Sequence, residues 1–338
     1  MGPPLPDWRD IWGAVGLGLA AISFAVGTHA AEPATTDAPT GNALDVFQRK
    51  EDILFRIGYR LASKNAEFCE RTLPSVGLLL HDAAAYGDPG SVRRNFKLAG
   101  DIGVQSVAPG SPADFAGIRQ NDTLIAISGR DIAQRWKPVK PAWQRAQDLR
   151  QALEERLAAH PVEIAWIDQA GTSRTVALTA EPVCATRFEL LTSSDKASAD
   201  GERVLVGENF PGFAYAEDEL AAVVAHEMAH NLLGHLAIFE TTGRKRSLVR
   251  LSERDADRLM PWLLANAGYD PTAAARFMRR WGPRHGGWIF RKRTHDGWDE
   301  RVEFIEAELA VIAANVAGGT ADWQAHFQPE LETSLTPD

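Results

Sequence analysis

The hydrophobic pattern of this 338-residue chain changes its period twice, and that change limits the folds it can adopt. Between about residues 95 and 182, short runs rich in Val, Ile and Thr are bounded by Gly, Pro, Asn or Asp, which is typical of strands. Two helices are predicted among them: one begins at Pro112 with Ser111 as its cap, and the other has a leucine at every fourth residue over 149–157. The pattern predicts a small β-rich module. Its expected strands are GVQSVA, TLIAISG, PVEIAWID and SRTVALTA.

On both sides of this module the period is helical. Leu54, Ile57 and Leu61 lie three or four residues apart and predict an amphipathic helix, whereas residues 72–96 are compatible with either helix or loop. One strand, GERVLVGENF, precedes the later helices. We therefore expect an α+β protein. Its expected parts are a helical segment (44–94), the β-rich module (95–182), a connector (183–198), a mainly helical domain with a small sheet (199–318) and a C-terminal tail (319–338), with later helices over 217–240, 251–267, 271–281 and 299–316.

The N-terminal segment has the features of an export signal. Residues 11–26 carry no charge, and Thr28 to Ala31 supplies the small residues of a cleavage site. The flanking charges are poor for a signal, so residues 1–31 are interpreted as a cleaved signal peptide, an uncleaved anchor or a buried helix, followed by a linker over 32–43. The first two interpretations place the body of the protein outside the cytoplasm, with membrane association through the N-terminal segment if it is an anchor.

The cysteine and charge content of the chain bear on its compartment and on its possible partners. The chain has two cysteines, Cys69 and Cys184, which in an exported protein form either one disulfide or two separate buried thiols. The net charge is −9 and no stripe of Lys and Arg alternates with aromatic residues. A nucleic-acid partner is therefore not expected.

The stretch AAVVAHEMAHNLLGH has the strongest chemical signal in the chain. His226 and His230 are four residues apart, so a helix projects both imidazoles from one face within reach of a single cation. Neutral imidazoles suit Zn²⁺, and Glu227 lies where its carboxylate can take a proton from water. A buried helix that happens to carry histidines is the simpler alternative, so a second feature is required.

That second feature is SERDADR, about twenty residues downstream, where Glu253 and Asp257 are also four apart. A catalytic zinc takes three protein ligands, and Glu253 supplies the third. Asp257, one turn later, can hydrogen-bond the far nitrogen of a ligating imidazole. His235 has the wrong spacing for a ligand and would lie opposite His226 on a continuous helix, so we expect it to pack or to form a hydrogen bond.

A donor for the oxyanion of a peptide-hydrolysis reaction is still needed. His295 is the candidate because it lies in a Gly-rich stretch, residues 282–298, just before the last long helix. The alternative is an ordinary surface histidine, and His285 is a weaker candidate for the same role.

These three stretches, taken in order, resemble the HtpX/CAAX-prenyl-protease/BepA-type family of zinc metalloendopeptidases. The resemblance covers about residues 200–314 and implies zinc ligands at His226, His230 and Glu253, a general base at Glu227 and a supporting carboxylate at Asp257. It also implies that the late histidine and the arginine that follows it lie near the cleft; in this sequence these residues are His295 and Arg301. The sequence departs from the family at Asp296, where a proline is usual, and it lacks the family's several membrane helices.

The segment GDIGVQSVAPGSPADFAGIRQNDTLIAISGRDI resembles a PDZ domain of the bacterial protease type. The resemblance implies that Gly100, Ile102, Gly103 and Val104 take the C-terminus of a peptide, which would add to the sheet as a further strand. A packing or gating module is the alternative.

The leading hypothesis is an exported zinc metalloendopeptidase, periplasmic or attached to the membrane on that side, with one zinc and polypeptide substrates, acting in envelope protein quality control. In an intramembrane zinc protease the zinc motif precedes the PDZ module, whereas in this sequence it follows the PDZ-like segment. An intramembrane zinc protease is therefore disfavoured. A catalytically silent zinc-binding chaperone or peptide-binding module remains the alternative.

Overall fold

The structure, a computed structural model, describes residues 43–285, 296–316 and 320–335. The expected signal or anchor and the linker up to residue 42 lie outside these ranges. The described residues are 53% helical and 19% strand, which confirms a mixture of helices and sheet. None of the described helices is both long and apolar enough to cross a bilayer.

The secondary structure elements have the following bounds. The helices are α1 (Ala43–Lys64), α2 (Pro89–Phe96), α3 (Pro112–Phe115), α4 (Ile132–Arg135), α5 (Gln144–Leu157), α6 (Glu217–Leu232), α7 (His235–Thr242), α8 (Arg246–Asn266), α9 (Ala273–His285), α10 (Trp298–Asn315), α11 (Trp323–His326) and α12 (Glu330–Leu335). The strands are β1 (Thr72–Ser75), β2 (Leu78–Asp82), β3 (Ile102–Val107), β4 (Thr123–Ile127), β5 (Arg130–Asp131), β6 (Val162–Ile167), β7 (Ser173–Leu178), β8 (Glu181–Cys184), β9 (Arg187–Leu191), β10 (Ala197–Ala199) and β11 (Arg203–Gly207).

Residues 76–180, hereafter the sheet module, contain one antiparallel sheet with strand order β2-β3-β4-β6-β7, and β5 pairs with β4. The four strands expected from the sequence are present, and α3 and α5 are the two expected helices. Ser111 caps α3 by accepting a hydrogen bond from the N–H of Asp114. The sheet and α5 enclose a core of their own, in which Val104, Leu149 and Ile164 are fully buried.

The sequence did not predict β2. It lies in the stretch that was compatible with helix or loop, and its run of three leucines gives no alternation from which a strand could be recognised. Because β2 pairs with β3 over Leu78↔Val107 to Asp82↔Ile102, the expected boundary at residue 95 cuts through the sheet. The sheet module therefore begins some twenty residues earlier than expected.

The second unit, hereafter the helical domain, consists of α1 together with the chain from β9 to α12. Leu54 and Ile57 of α1 share a core with Met228 of α6 and Trp262 of α8, so the first described helix packs with helices that follow much later in the sequence. A small sheet of order β10-β11-β9 lies beside α6. The expected helical segment over 44–94 is thus divided between the two units.

Two antiparallel strands connect these units. β1 pairs with β8 from Thr72↔Cys184 to Ser75↔Glu181, so the chain enters and leaves the sheet module side by side. A disulfide between Cys69 and Cys184 crosslinks the chain at the end of this strand pair where Thr72 lies opposite Cys184. The two cysteines therefore form one disulfide and are not separate thiols. It closes a loop with a sequence separation of 115, for which the chain-entropy description gives a stabilisation of about 4–5 kcal/mol.

Two expectations for the helical domain were wrong. The helix expected over 217–240 is two helices, because Gly234 adopts a left-handed conformation with φ 62° between α6 and α7. The expected tail contains α11 and α12, and the carboxylate of Asp255 on α8 accepts hydrogen bonds from the N–H groups of Glu330 and Leu331, each at 2.8 Å. The last helix is therefore anchored to the domain core.

Candidate metal centre

The packing of α6 against α8 brings three predicted ligands together. His226 Nε2 lies 3.3 Å from His230 Nε2, and each of these nitrogens lies 3.6 Å from an oxygen of Glu253. Among the described residues these three form the single group of histidine, cysteine or acidic side chains close enough to share an ion. Zinc binds such atoms at about 2.0–2.2 Å in a tetrahedron, whose corners are about 3.4 Å apart. The observed separations are close to this value, with His226 facing one oxygen of Glu253 and His230 the other, so the three side chains are close enough to share one ion.

Asp257 contacts the imidazole of His226 at Nδ1, the nitrogen that does not face His230 and Glu253. Its Oδ1 lies 3.0 Å from His226 Nδ1, and its fully buried carboxylate also accepts two hydrogen bonds from Arg301 of α10. Burial alone would raise the pKa of Asp257, but the guanidinium outweighs it and holds that pKa below its usual range. The carboxylate therefore accepts the Nδ1–H of His226, and Nε2 is the nitrogen that faces His230 and Glu253.

The two imidazoles differ in their affinity for a proton. Burial lowers the pKa of both, but hydrogen bonds with Asp257 and Glu253 reverse this for His226 and raise its pKa to about 10. For His230, burial and the charge of His226 outweigh the opposing charges of Glu253 and Asp257 and lower its pKa to about 4. A divalent cation here would have to displace one proton, so its binding is expected to weaken as the pH falls.

Glu227 lies beside the ligands in a cavity of about 320 Å³, which both histidines, Glu253 and β10 also line. Burial raises the pKa of Glu227 to about 7, although the charge of His226 opposes the shift. A carboxyl group with this pKa can both accept and release a proton near neutrality, which is the property required of a general base that later acts as an acid.

His235 is placed differently from the expectation. Because the helix ends before Gly234, the ring of His235 turns back onto His230 and their Nδ1 atoms lie 2.8 Å apart. The continuous-helix geometry that placed His235 opposite His226 was wrong, while the expected hydrogen bond is present.

The late histidine is not placed by the structure, since His295 and the side chain of His285 lie outside the described residues. The next residue, Asp296, accepts hydrogen bonds from Nε and Nη2 of Arg254 at 3.1 and 3.0 Å. The role of His295 stays a prediction.

The peptide-binding residues predicted in the sheet module do not have a free edge. β3 pairs with β2 on one side, and on the other the N–H of Val104 donates to Asp122 while its carbonyl accepts from Asn121, each at 2.8 Å. Gly103 lies so close to His81 that a Cβ would overlap its ring. Since strand addition requires unpaired backbone groups, Ile102, Gly103 and Val104 offer no open edge in this arrangement, and the sheet edge on that side belongs to β2. Capture of a peptide C-terminus by the loop from Gly100 to Val104 stays a prediction.

Sequence reasoning missed two parts of the cleft. β10 pairs with β11 and with no other strand in the described ranges, so one of its edges is open where Ala197, Ser198 and Ala199 line the cavity. Asn231, next to a predicted ligand, donates to Thr186 and accepts from the N–H of Gly201, each at 2.8 Å, which fixes this sheet to α6. A three-residue strand of alanine and serine carries too little hydrophobic pattern to be predicted.

No known family model matches the sequence, and no curated protein matches it. The geometry of the cleft is therefore the basis on which a function can be inferred.

Proposed function

We propose that this protein is a metal-dependent hydrolase with a single zinc ion. The observation that carries the proposal is the convergence of His226 Nε2, His230 Nε2 and the Glu253 carboxylate beside a buried carboxyl, Glu227, in one cavity. A buried acid beside the three potential ligands supports catalysis over the alternative, a silent zinc-binding chaperone.

Its substrates, we further propose, are polypeptides, which makes the protein a metalloendopeptidase. The open edge of β10 runs along the cavity, so an extended chain can hydrogen-bond to it as an additional strand and present a peptide bond to the cluster. Because such contacts use the substrate backbone, they select an extended polypeptide of varied sequence over a small ester or amide.

Each residue of the cluster has a defined task in this reaction. His226, His230 and Glu253 would hold zinc, with Asp257 and Arg301 orienting His226. When bound, zinc supplies a Lewis acid and lowers the pKa of a coordinated water to about 7. The Glu227 carboxylate accepts a proton from the attacking water and later donates it to the nitrogen of the leaving amine.

The sheet module and the cellular location complete the proposal. The strands and two helices of the module, together with the sequence resemblance, support a PDZ-type unit that binds substrates or controls their access. The Cys69–Cys184 disulfide supports an oxidising compartment, consistent with an exported protein acting in envelope protein quality control.

The test combines metal analysis with cleavage of casein by the full chain and by Glu227→Gln. The variant should retain zinc and lose about 10²–10⁴-fold in cleavage rate, because it can no longer accept the proton. Glu240→Gln, an exposed change on α7, is the matched control and should cleave at the wild-type rate. Wild-type protein that binds no zinc, or a Glu227→Gln variant as active as wild type, would refute the proposal.

A further inference from the structure

His230 and His235 form a direct pair of imidazoles inside the protein. Their Nδ1 atoms are 2.8 Å apart and their rings meet edge to face, with centroids 4.9 Å apart. His235 is only 2% exposed. The left-handed conformation of Gly234 makes this contact possible. It separates α6 from α7, and His235 is the first residue of α7.

A hydrogen bond between two imidazole nitrogens requires a proton on one and a lone pair on the other. His230 Nε2 converges with His226 Nε2 and Glu253, so that nitrogen must present its lone pair if a cation lies between them. The proton of neutral His230 is then on Nδ1, and His235 Nδ1 accepts it. His235 carries its own proton on Nε2, an atom that has no hydrogen-bond partner among the described residues.

We propose that His235 is a positioning residue that fixes the tautomer and the ring orientation of His230. It serves His230 as Asp257 serves His226, but with a neutral acceptor in place of a carboxylate. The carboxylate of Asp257 is accompanied by Arg301, whereas a neutral imidazole needs no counter-ion in a buried position. This inference rests on the proposed function in one respect, namely that His230 Nε2 faces a metal.

An isosteric pair of variants isolates the acceptor. Asparagine can place its Oδ1 near the position of the imidazole Nδ1, and leucine has nearly the same shape without an acceptor. We expect His235→Leu to lower zinc affinity about 10–100-fold, the range found when a partner behind a ligand is removed, and His235→Asn to stay within about threefold of wild type. Affinity is measured by competition with a chromophoric chelator. His81→Leu, which removes a buried histidine in the sheet module, controls for the loss of a buried imidazole elsewhere.

His235→Leu that binds zinc within about twofold of wild type would overturn the inference, as would His235→Asn weakened as much as His235→Leu. If the leucine variant fails to fold, NMR of isotope-labelled histidine in metal-free wild type decides the question. A His230 proton on Nδ1 is expected, and a proton on Nε2 would overturn the inference. The tautomer measurement does not require cleavage, so it separates failure of this inference from failure of the proposed function.

Discussion

The protein contains two buried polar clusters that differ in what fills their centre. In the sheet module, Arg145 is 3% exposed and lies between two acids, with its Nε 3.4 Å from Asp82 and its Nη1 3.2 Å from Asp101. In the helical domain, atoms of His226, His230 and Glu253 converge on one point, and Arg301 beside them pairs with Asp257.

This difference distinguishes a cluster that contains its own cation from one in which potential metal-ligand atoms converge. A carboxylate removed from water is stabilised by a cation in contact with it, and Arg145 provides that cation within the fold. In the cluster between α6 and α8 the arginine pairs with Asp257, and His226 and His230 face Glu253, an arrangement that a proton or a metal ion between them would stabilise. Under the proposed function, this second cluster is the one that takes an external ligand.

The largest effect is expected for removal of the internal cation. Arg145→Met leaves the buried carboxylate of Asp82 without its cation, while Asp101 keeps its ion pair with Arg93, and we expect the free energy of unfolding in urea to fall by about 3 kcal/mol. The control is Arg174→Met, which breaks the exposed pair with Asp168 in the same module and should cost less than about 1 kcal/mol. Zinc affinity should be unchanged in both. A stability loss no greater than that of the control would show that the Arg145 cluster does not need its cation.

A smaller effect, on metal affinity, is expected from Asp257→Asn. The amide still accepts the Nδ1–H of His226 but lacks the charge that stabilises it, so zinc should bind about 10–100-fold more weakly in a chelator competition. Asp255→Asn is a close control, since it changes a buried aspartate two residues away on the same helix that faces α12. It should lower stability and leave zinc affinity near that of wild type. Equal losses of zinc affinity in the two variants would assign the Asp257 effect to general damage of α8.

The elements that could be predicted from sequence are those whose pattern is repeated. The strands β3, β4, β6 and β7 are runs rich in Val, Ile and Thr bounded by turn residues, and α1 and α5 bury apolar residues at helical spacing, so the sequence predicts their type. β2, β9 and β10 are short or lack alternation, and their pairing depends on partners far away in the sequence. For the same reason the sequence could not show that β2 covers the edge of β3 beside Gly103 and Val104.

The candidate metal centre was largely predictable because its residues form two pairs, and the members of each pair are close in the sequence. His226 and His230 share a helix face, as do Glu253 and Asp257, so their spacing limits their directions before any packing is known. The contact of His235 with His230 was not predictable in the same way. A glycine within an apolar helical run costs only about 1 kcal/mol relative to alanine and often does not end a helix, so sequence alone did not establish the break at Gly234.

The smallest effect is expected at Glu51, a half-buried carboxyl group on α1 that faces β3. Among the described residues it has neither an arginine beside it, as Asp82 has, nor imidazoles, as Glu253 has. Gln105 donates a hydrogen bond to it, and none of the ion pairs in the described part of the chain includes it. Burial raises the pKa of Glu51 to about 7, with the Gln105 hydrogen bond opposing the shift and the charge of Glu189 adding to it. The folded state therefore holds this proton more tightly than the unfolded state does, and stability from this residue is lost as the pH rises towards 7 and beyond.

Glu51→Gln removes this loss of stability at high pH, because the amide has nearly the same shape as the carboxyl group, can still form a hydrogen bond and cannot ionise. The variant should be about as stable as wild type near pH 5 and more stable by about 1 kcal/mol near pH 9, measured by urea denaturation at both values. Glu163→Gln, an exposed change on β6, should show no such difference between the two pH values. If Glu51→Gln were less stable than wild type at the higher pH, the buried carboxylate would be stabilised by a charge after all, and Glu51 would then resemble the Arg145 cluster.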